Sequence, residues 1–170
     1  MPIVVSGPIA AGKSTLCKRL QEYYNISYLP EFDSCDVGRN LLRSFKHGEI
    51  SGDTLQLFIA DWWNHVSHHA IYERLPRESL LFAREQIEDK RLLPILEDLI
   101  KSAEEKLGVL NLPIVYVTNE SFEEIVKIIN EHNRNLCLFL RCPLAETKER
   151  AIKRDSSIVD NFDKLWYDAI

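Results

Sequence analysis

The sequence has no cysteine pair at metal-ligand spacing, no long apolar run and no surplus of basic residues, and each absence removes a class of function. Its four cysteines are Cys17, Cys35, Cys137 and Cys142, and they read as reduced thiols of a cytoplasmic protein rather than a disulfide framework. The opening apolar run, Met1 to Val5, is too short for a secretory core or a membrane span, so no membrane partner is expected. Lys and Arg number 21 against 26 Asp and Glu, a net charge of −5. That balance excludes a broad basic face for duplex nucleic acid, though a few local positive groups can still hold a nucleotide-sized anion. His65, His68 and His69 stand at helical i, i+3, i+4 spacing, but no third ligand type is spaced with them. They read as polar helix surface, not as a zinc site. Repeats, low-complexity tracts and linkers rich in Gly, Ser or Pro are missing too, so the 170 residues are expected to form a single domain, 1–170.

What is present is an alternation. Short β-branched or aromatic runs lie at Pro2 to Ser6, Ile26 to Leu29, His69 to Tyr72, Ile114 to Val117 and Leu136 to Leu140, and they read as strands. Between them run helical patterns. Leu16, Leu20 and Tyr23 follow one; Leu55, Phe58, Ile59, Trp62 and Val66 form an apolar stripe on another. Arg77 to Leu107 is helical in composition, with Pro94 as a break or kink. Phe122, Ile125, Val126 and Ile129 mark a further helix, followed by Leu144 to Arg154 and Phe162 to Ala169. The expected fold is α/β, with a parallel sheet of about five strands and helices on both faces. Ligands of such sheets gather at the carboxyl ends of the strands.

The first of those ends carries Gly7-Pro8-Ile9-Ala10-Ala11-Gly12-Lys13-Ser14-Thr15, a full Walker A match in a strand–loop–helix context. Glycines let the backbone wrap so that its N–H groups point at phosphate oxygens, and the following helix adds the positive end of its dipole. In the P-loop NTPase fold that this motif leads one to expect, Lys13 would reach the β- and γ-phosphates of a nucleoside triphosphate, and the Ser14 hydroxyl would ligate Mg²⁺. The loop does not name the acceptor. With no NKxD motif, no DxxG after a second strand and a chain short for a mechanochemical ATPase, a small-molecule kinase remains.

Glu31 follows the second strand directly, where a carboxylate would take the proton of an attacking hydroxyl; on spacing alone it is equally an ordinary loop acid. Glu73 and Arg74 end the third strand. The acid suits Mg²⁺ held through water, and the arginine suits the charge of a transferring phosphoryl group or the orientation of Glu31; the plainer reading is a surface ion pair. Gln56, Ala60 and Trp63 form a stripe beside the apolar one. A glutamine next to an aromatic can read a flat base by paired hydrogen bonds and stacking, although a lone helix glutamine is more commonly solvated. Arg150 and Arg154, one turn apart, suit a lid closing on the triphosphate, or simply a helix knit by i, i+4 ion pairs.

Four blocks in this order resemble the deoxynucleoside kinase and herpesvirus-type thymidine kinase family. They are GPIAAGKST, PEF with Glu31, TLQLFI with Gln56, and YERLPRESLLFARE with Glu73 and Arg74. A looser fifth, LFLRCPLAETKERAIKR, is similar to the strand and lid of that family, about 141–158, and NFDKLWYDAI to the aromatic helix after it. The resemblance implies ATP-dependent, Mg²⁺-assisted phosphorylation of the 5′-hydroxyl of a pyrimidine deoxynucleoside in nucleotide salvage. Glu31 would be the base, Arg74 its partner, Gln56 the base reader with Trp63 beside it, and Glu73 the Mg²⁺ assistant. It also implies a homodimer. The chain departs from the family in three places. Phe32-Asp33-Ser34-Cys35 stands where a Trp usually follows the general base, Arg154 is followed by Asp155-Ser156-Ser157 in place of further arginines, and the sequence ends at Ile170, before the strand and loop that normally flank the adenine. Ile114 to Val117 and its following helix look like an insertion relative to the cellular enzymes. Two other readings remain open: a thymidylate-like monophosphate kinase, with Arg39 and Arg43 on the acceptor phosphate, and a nucleotide-binding protein that transfers nothing.

Overall fold

The computed structural model describes residues 2–8 and 10–141. Ile9, the lid segment with Arg150 and Arg154, and the last two expected helices lie outside the described residues. The chain divides into two compact units; among the described residues, one comprises 2–29, 69–74 and 112–141, the other 30–68 and 75–111.

The first unit holds a five-stranded sheet in the order β2-β3-β1-β5-β4, built from β1 (Ile3–Ser6), β2 (Tyr28–Leu29), β3 (Ile71–Glu73), β4 (Ile114–Val117) and β5 (Leu136–Leu140). Every pairing is parallel. The central strands Ile3–Ser6 and Leu136–Leu140 are buried along their whole length, which is why they read as continuous apolar runs rather than alternating ones. Helices α1 (Lys13–Tyr24) and α6 (Phe122–Glu131) flank this sheet; the helices between them in the chain belong to the other unit. Leu16, Cys17 and Leu20 of α1 and Ile125, Val126 and Ile129 of α6 share a core with Ile3, Val5, Ile71, Leu136, Leu138 and Leu140. The strand members sit two residues apart, so one face of the pleat meets both helices. Helix α6 begins at a capping box: Ser121 Oγ accepts from the Glu124 amide, and Glu124 Oε2 accepts from the Ser121 amide.

The second unit is helical: α2 (Asp36–Lys46), α3 (Gly52–His65), α4 (Ser79–Gln86) and α5 (Leu93–Leu107). Helix α3 packs against α2, α4 and α5. Ser51 Oγ caps it at the Thr54 amide. At its start a Cβ on Gly52 would lie 1.9 Å from the Gln86 carbonyl oxygen, so only glycine permits that approach of α3 to the end of α4. Asn64 Nδ2 donates to the carbonyls of Ala60 and Leu99, tying α3 to α5.

Three local expectations are revised. The helical stretch from Arg77 to Leu107 is two helices, and Pro94 sits in the first turn of the second; there its missing N–H costs nothing, so it starts a helix instead of breaking one. Helix α2 was not anticipated, although Val37, Leu41, Leu42 and Phe45 recur at helical spacing; its N-cap is Cys35 and its one fully buried residue is Gly38. Helix α3 ends at His65, so His68 and His69 do not share a helical face with it. Among the described residues no group of three or more His, Cys, Asp or Glu is arranged to hold a metal ion, and no helix is long and apolar enough to cross a membrane.

Candidate functional site

The loop from Gly7 to Gly12 leaves the carboxyl end of β1, the strand with β3 on one side and β5 on the other. Open parallel sheets gather their ligands at the carboxyl ends of the strands, and this loop stands at one of them. Gly7 has φ +147°, and a Cβ there would lie 2.7 Å from the Leu140 carbonyl oxygen, so the turn against β5 demands glycine. Ala10 takes the left-handed conformation at φ 63°, unusual for a residue with a side chain. Gly12 is the N-cap of α1 and leads directly into Lys13, Ser14 and Thr15 of its first turn. The first amides of a helix have no intrahelical acceptor, so they and the helix dipole favour an anion at this end.

Lys13 is buried and its Nζ donates to the Pro8 carbonyl at 2.9 Å. The ammonium is thereby held over the loop rather than in solvent. Ser14 Oγ donates to Glu73 Oε1 at 2.7 Å, joining the first turn of α1 to the end of β3. Tyr28, on β2, donates its phenolic hydroxyl to the other carboxylate oxygen, Glu73 Oε2, at 2.5 Å. Glu73 is 6% exposed, a position a carboxylate holds when its lone pairs are hydrogen-bonded. Burial first, then the hydrogen bond and charge of Glu73, push the Tyr28 hydroxyl far above its ordinary range, so it keeps its proton and acts as a donor. Arg74 follows with φ 73°. Its amide donates to the Val5 carbonyl, and its Nη1 donates to the Gly7 carbonyl at 3.1 Å.

These contacts bring Lys13, Ser14, Glu73 and Arg74, all expected at the site, into one constellation around the end of β1, together with Gly7, Pro8 and Gly12. The surface ion-pair reading of Glu73 and Arg74 does not describe what they do, since Glu73 is buried on two hydroxyls and Arg74 reaches a loop carbonyl. A hydroxyl whose proton is directed to a carboxylate keeps its lone pairs for a cation. This oxygen-only pair suits a hard ion such as Mg²⁺, which binds few protein groups and retains waters.

Tyr28 was missed. No pattern in the linear sequence marks it; the signal lies in the register. Tyr28 pairs with Ile71, and the residue two further along β3 on the same face is Glu73, within reach of a long side chain on the diagonal.

The residues expected on the acceptor side lie in the helical unit. Glu31 is half-buried in extended backbone and caps a 3₁₀ turn, Phe32–Ser34, its carbonyl accepting from the Ser34 amide. Gln56 is 3% exposed, and its Nε2 donates to Gln86 Oε1 at 2.7 Å, so it is not the solvated helix glutamine of the plainer reading. Gln86 was not anticipated, because its partner is 30 residues away. Ala60 and Trp63 are buried with Gln56, whereas Phe58 and Trp62 are half-buried; the inward stripe of α3 is turned from the one read off the apolar residues. The Trp63 ring meets Trp62 edge-on, centroids 4.8 Å apart. Arg39 is engaged locally, with Asp36 Oδ1 at 3.0 Å and the Ser34 carbonyl at 3.1 Å.

The sequence matches no protein-family model, and no curated protein matches it.

Proposed function

We propose that the protein is a kinase that transfers the γ-phosphoryl group of ATP to the 5′-hydroxyl of a deoxynucleoside, most suitably a pyrimidine one. The observation that carries this reading is the meeting of Ser14 with Glu73 beside Lys13 and the glycine loop. A loop that only turned the chain would need neither a buried lysine nor a hydroxyl–carboxylate pair. The acceptor half rests on Glu31, on Gln56 and on the order of the sequence blocks.

Loop amides, the first turn of α1 and Lys13 would bind the triphosphate and hold its terminal group in line. Ser14 and Glu73 are the residues that would hold Mg²⁺, whose positive charge would offset that of the phosphate oxygens. Glu31 takes the proton of the 5′-hydroxyl as that oxygen bonds to phosphorus, and ADP leaves with the electron pair of the broken P–O bond. Arg74, resting on the Gly7 carbonyl, supplies a planar cation at the loop where negative charge is handled. Gln56 would read the base, with Trp63 beside it, and the lid arginines Arg150 and Arg154 would complete the phosphate shell. The test is product identification after incubation with ATP, Mg²⁺ and a deoxynucleoside. A 5′-monophosphate plus ADP is expected; the absence of any phosphorylated nucleoside would overturn the proposal.

A further inference from the structure

We infer that Tyr28 is a positioning residue for the phosphate site, acting through Glu73 on Ser14; the inference rests on the triphosphate-binding reading above. Glu73 receives one donor on each oxygen, Ser14 on Oε1 and Tyr28 on Oε2. A carboxylate held by one hydrogen bond can still turn about its terminal torsion, which is broad and roughly two-fold. Donors on both oxygens fix its plane. With that plane fixed, Oε1 remains the acceptor for the Ser14 proton, and the Ser14 lone pairs stay turned away from Glu73, toward a cation. Tyr28 would touch neither phosphate nor metal. It sets the direction of the oxygen that does.

The backbone supplies the rigidity this needs. Tyr28 pairs in register with Ile71 on β3, and Val5 on β1 pairs with Glu73, so tyrosine and carboxylate stand on adjacent strands of one sheet. Ser14 stands in the first turn of a helix anchored beneath by Leu16, Cys17 and Leu20. Three elements thus converge on a single carboxylate, and outer partners of this kind tune metal sites without ligating.

The opposing account is that Tyr28 merely satisfies a buried carboxylate. The two differ in what Mg²⁺ does. The experiment measures binding of a non-hydrolysable ATP analogue by calorimetry, with Mg²⁺ and with chelator, in wild type, Tyr28→Phe, Glu73→Gln and the double variant. Tyr28→Phe removes one oxygen and keeps the ring, so the strand retains its packing. The expected result is a Mg²⁺-dependent gain in affinity that falls about 10-fold in Tyr28→Phe, with metal-free binding unchanged. Glu73→Gln should lose the same gain, and Tyr28→Phe should add nothing further in that background. An unaltered Mg²⁺ response in Tyr28→Phe overturns the inference, as does a full response in Glu73→Gln or additive losses in the double variant. If wild type itself gains nothing from Mg²⁺ or fails to bind the analogue, the triphosphate reading has failed, and the inference falls with it.

Discussion

Ser14 and Glu73 stand 59 residues apart in the chain, and their side chains meet at 2.7 Å. One begins the helix after the loop and the other ends the neighbouring strand, so the contact joins the two elements that a phosphate site at this sheet edge would use. Lys13, one residue earlier, points instead to the Pro8 carbonyl. Under the proposed function the two neighbours would divide the work, Lys13 supplying charge to the phosphates and Ser14 an oxygen to the cation.

Lys13→Ala is expected to weaken binding of an ATP analogue about 10- to 100-fold, the effect of losing a charge-assisted hydrogen bond, both with and without Mg²⁺. Calorimetry on the folded variant checks it. A loss confined to the Mg²⁺-loaded state would show that Lys13 is not the residue on the phosphates.

Glu31→Gln keeps the shape of the side chain and removes its basicity. The expected outcome is a kcat lowered by a factor on the order of 10²–10⁴, with affinity for the ATP analogue nearly intact. Steady-state kinetics alongside direct binding reads both numbers. Unchanged turnover would take Glu31 out of the mechanism.

Gln56→Leu should raise the KM for the deoxynucleoside by about 10-fold or more, since an unmet hydrogen bond to a base costs at least that, while the KM for ATP stays put. The Gln56 amide already donates to Gln86, so thermal melting must be followed alongside. A variant less stable but with unaltered nucleoside KM would make the amide pair a packing device and not a base reader.

Arg77 tests the helical unit independently of any ligand. Its Nε donates to Glu104 Oε2 at 2.9 Å, and its Nη2 donates to the carbonyls of Val109 and Leu110. Burial pushes the Glu104 carboxyl above its usual range, and the Arg77 hydrogen bond pulls it partly back. An acid raised in the folded state holds more protons there than in the unfolded chain, so its contribution to stability falls as pH rises through that window. Arg77→Met widens the window upward. It should cost about 1–3 kcal/mol at pH 7 and less at pH 5 in urea denaturation. An equal or larger loss at pH 5 would contradict this account of Glu104.

The strands were legible because β-branched and aromatic runs declare themselves: Ile114–Val117 and Leu136–Leu140 have the bounds expected of them. At the loop, glycine marked two special backbone positions, and Gly7 and Gly12 both take positive φ. Helix α2 was not read, although Val37, Leu41, Leu42 and Phe45 repeat at helical spacing, because Cys35 is an uncommon cap. On α3, counting apolar residues put Phe58 and Trp62 inward, whereas Gln56 and Trp63 are the deeper pair; a glutamine that finds a partner on another helix is buried, and no local rule anticipates that partner. Tyr28 escaped for the same reason, because its contact with Glu73 depends on which residue lies diagonally across a parallel register.

The most direct measurement is a panel of thymidine, deoxycytidine, the purine deoxynucleosides and their 5′-monophosphates, each incubated with ATP and Mg²⁺ and analysed by mass. The proposal predicts a 5′-monophosphate from a deoxynucleoside, pyrimidines first, lost in Glu31→Gln. Turnover of dTMP to the diphosphate with no reaction of any nucleoside, or ATP binding with no transfer at all, would contradict it.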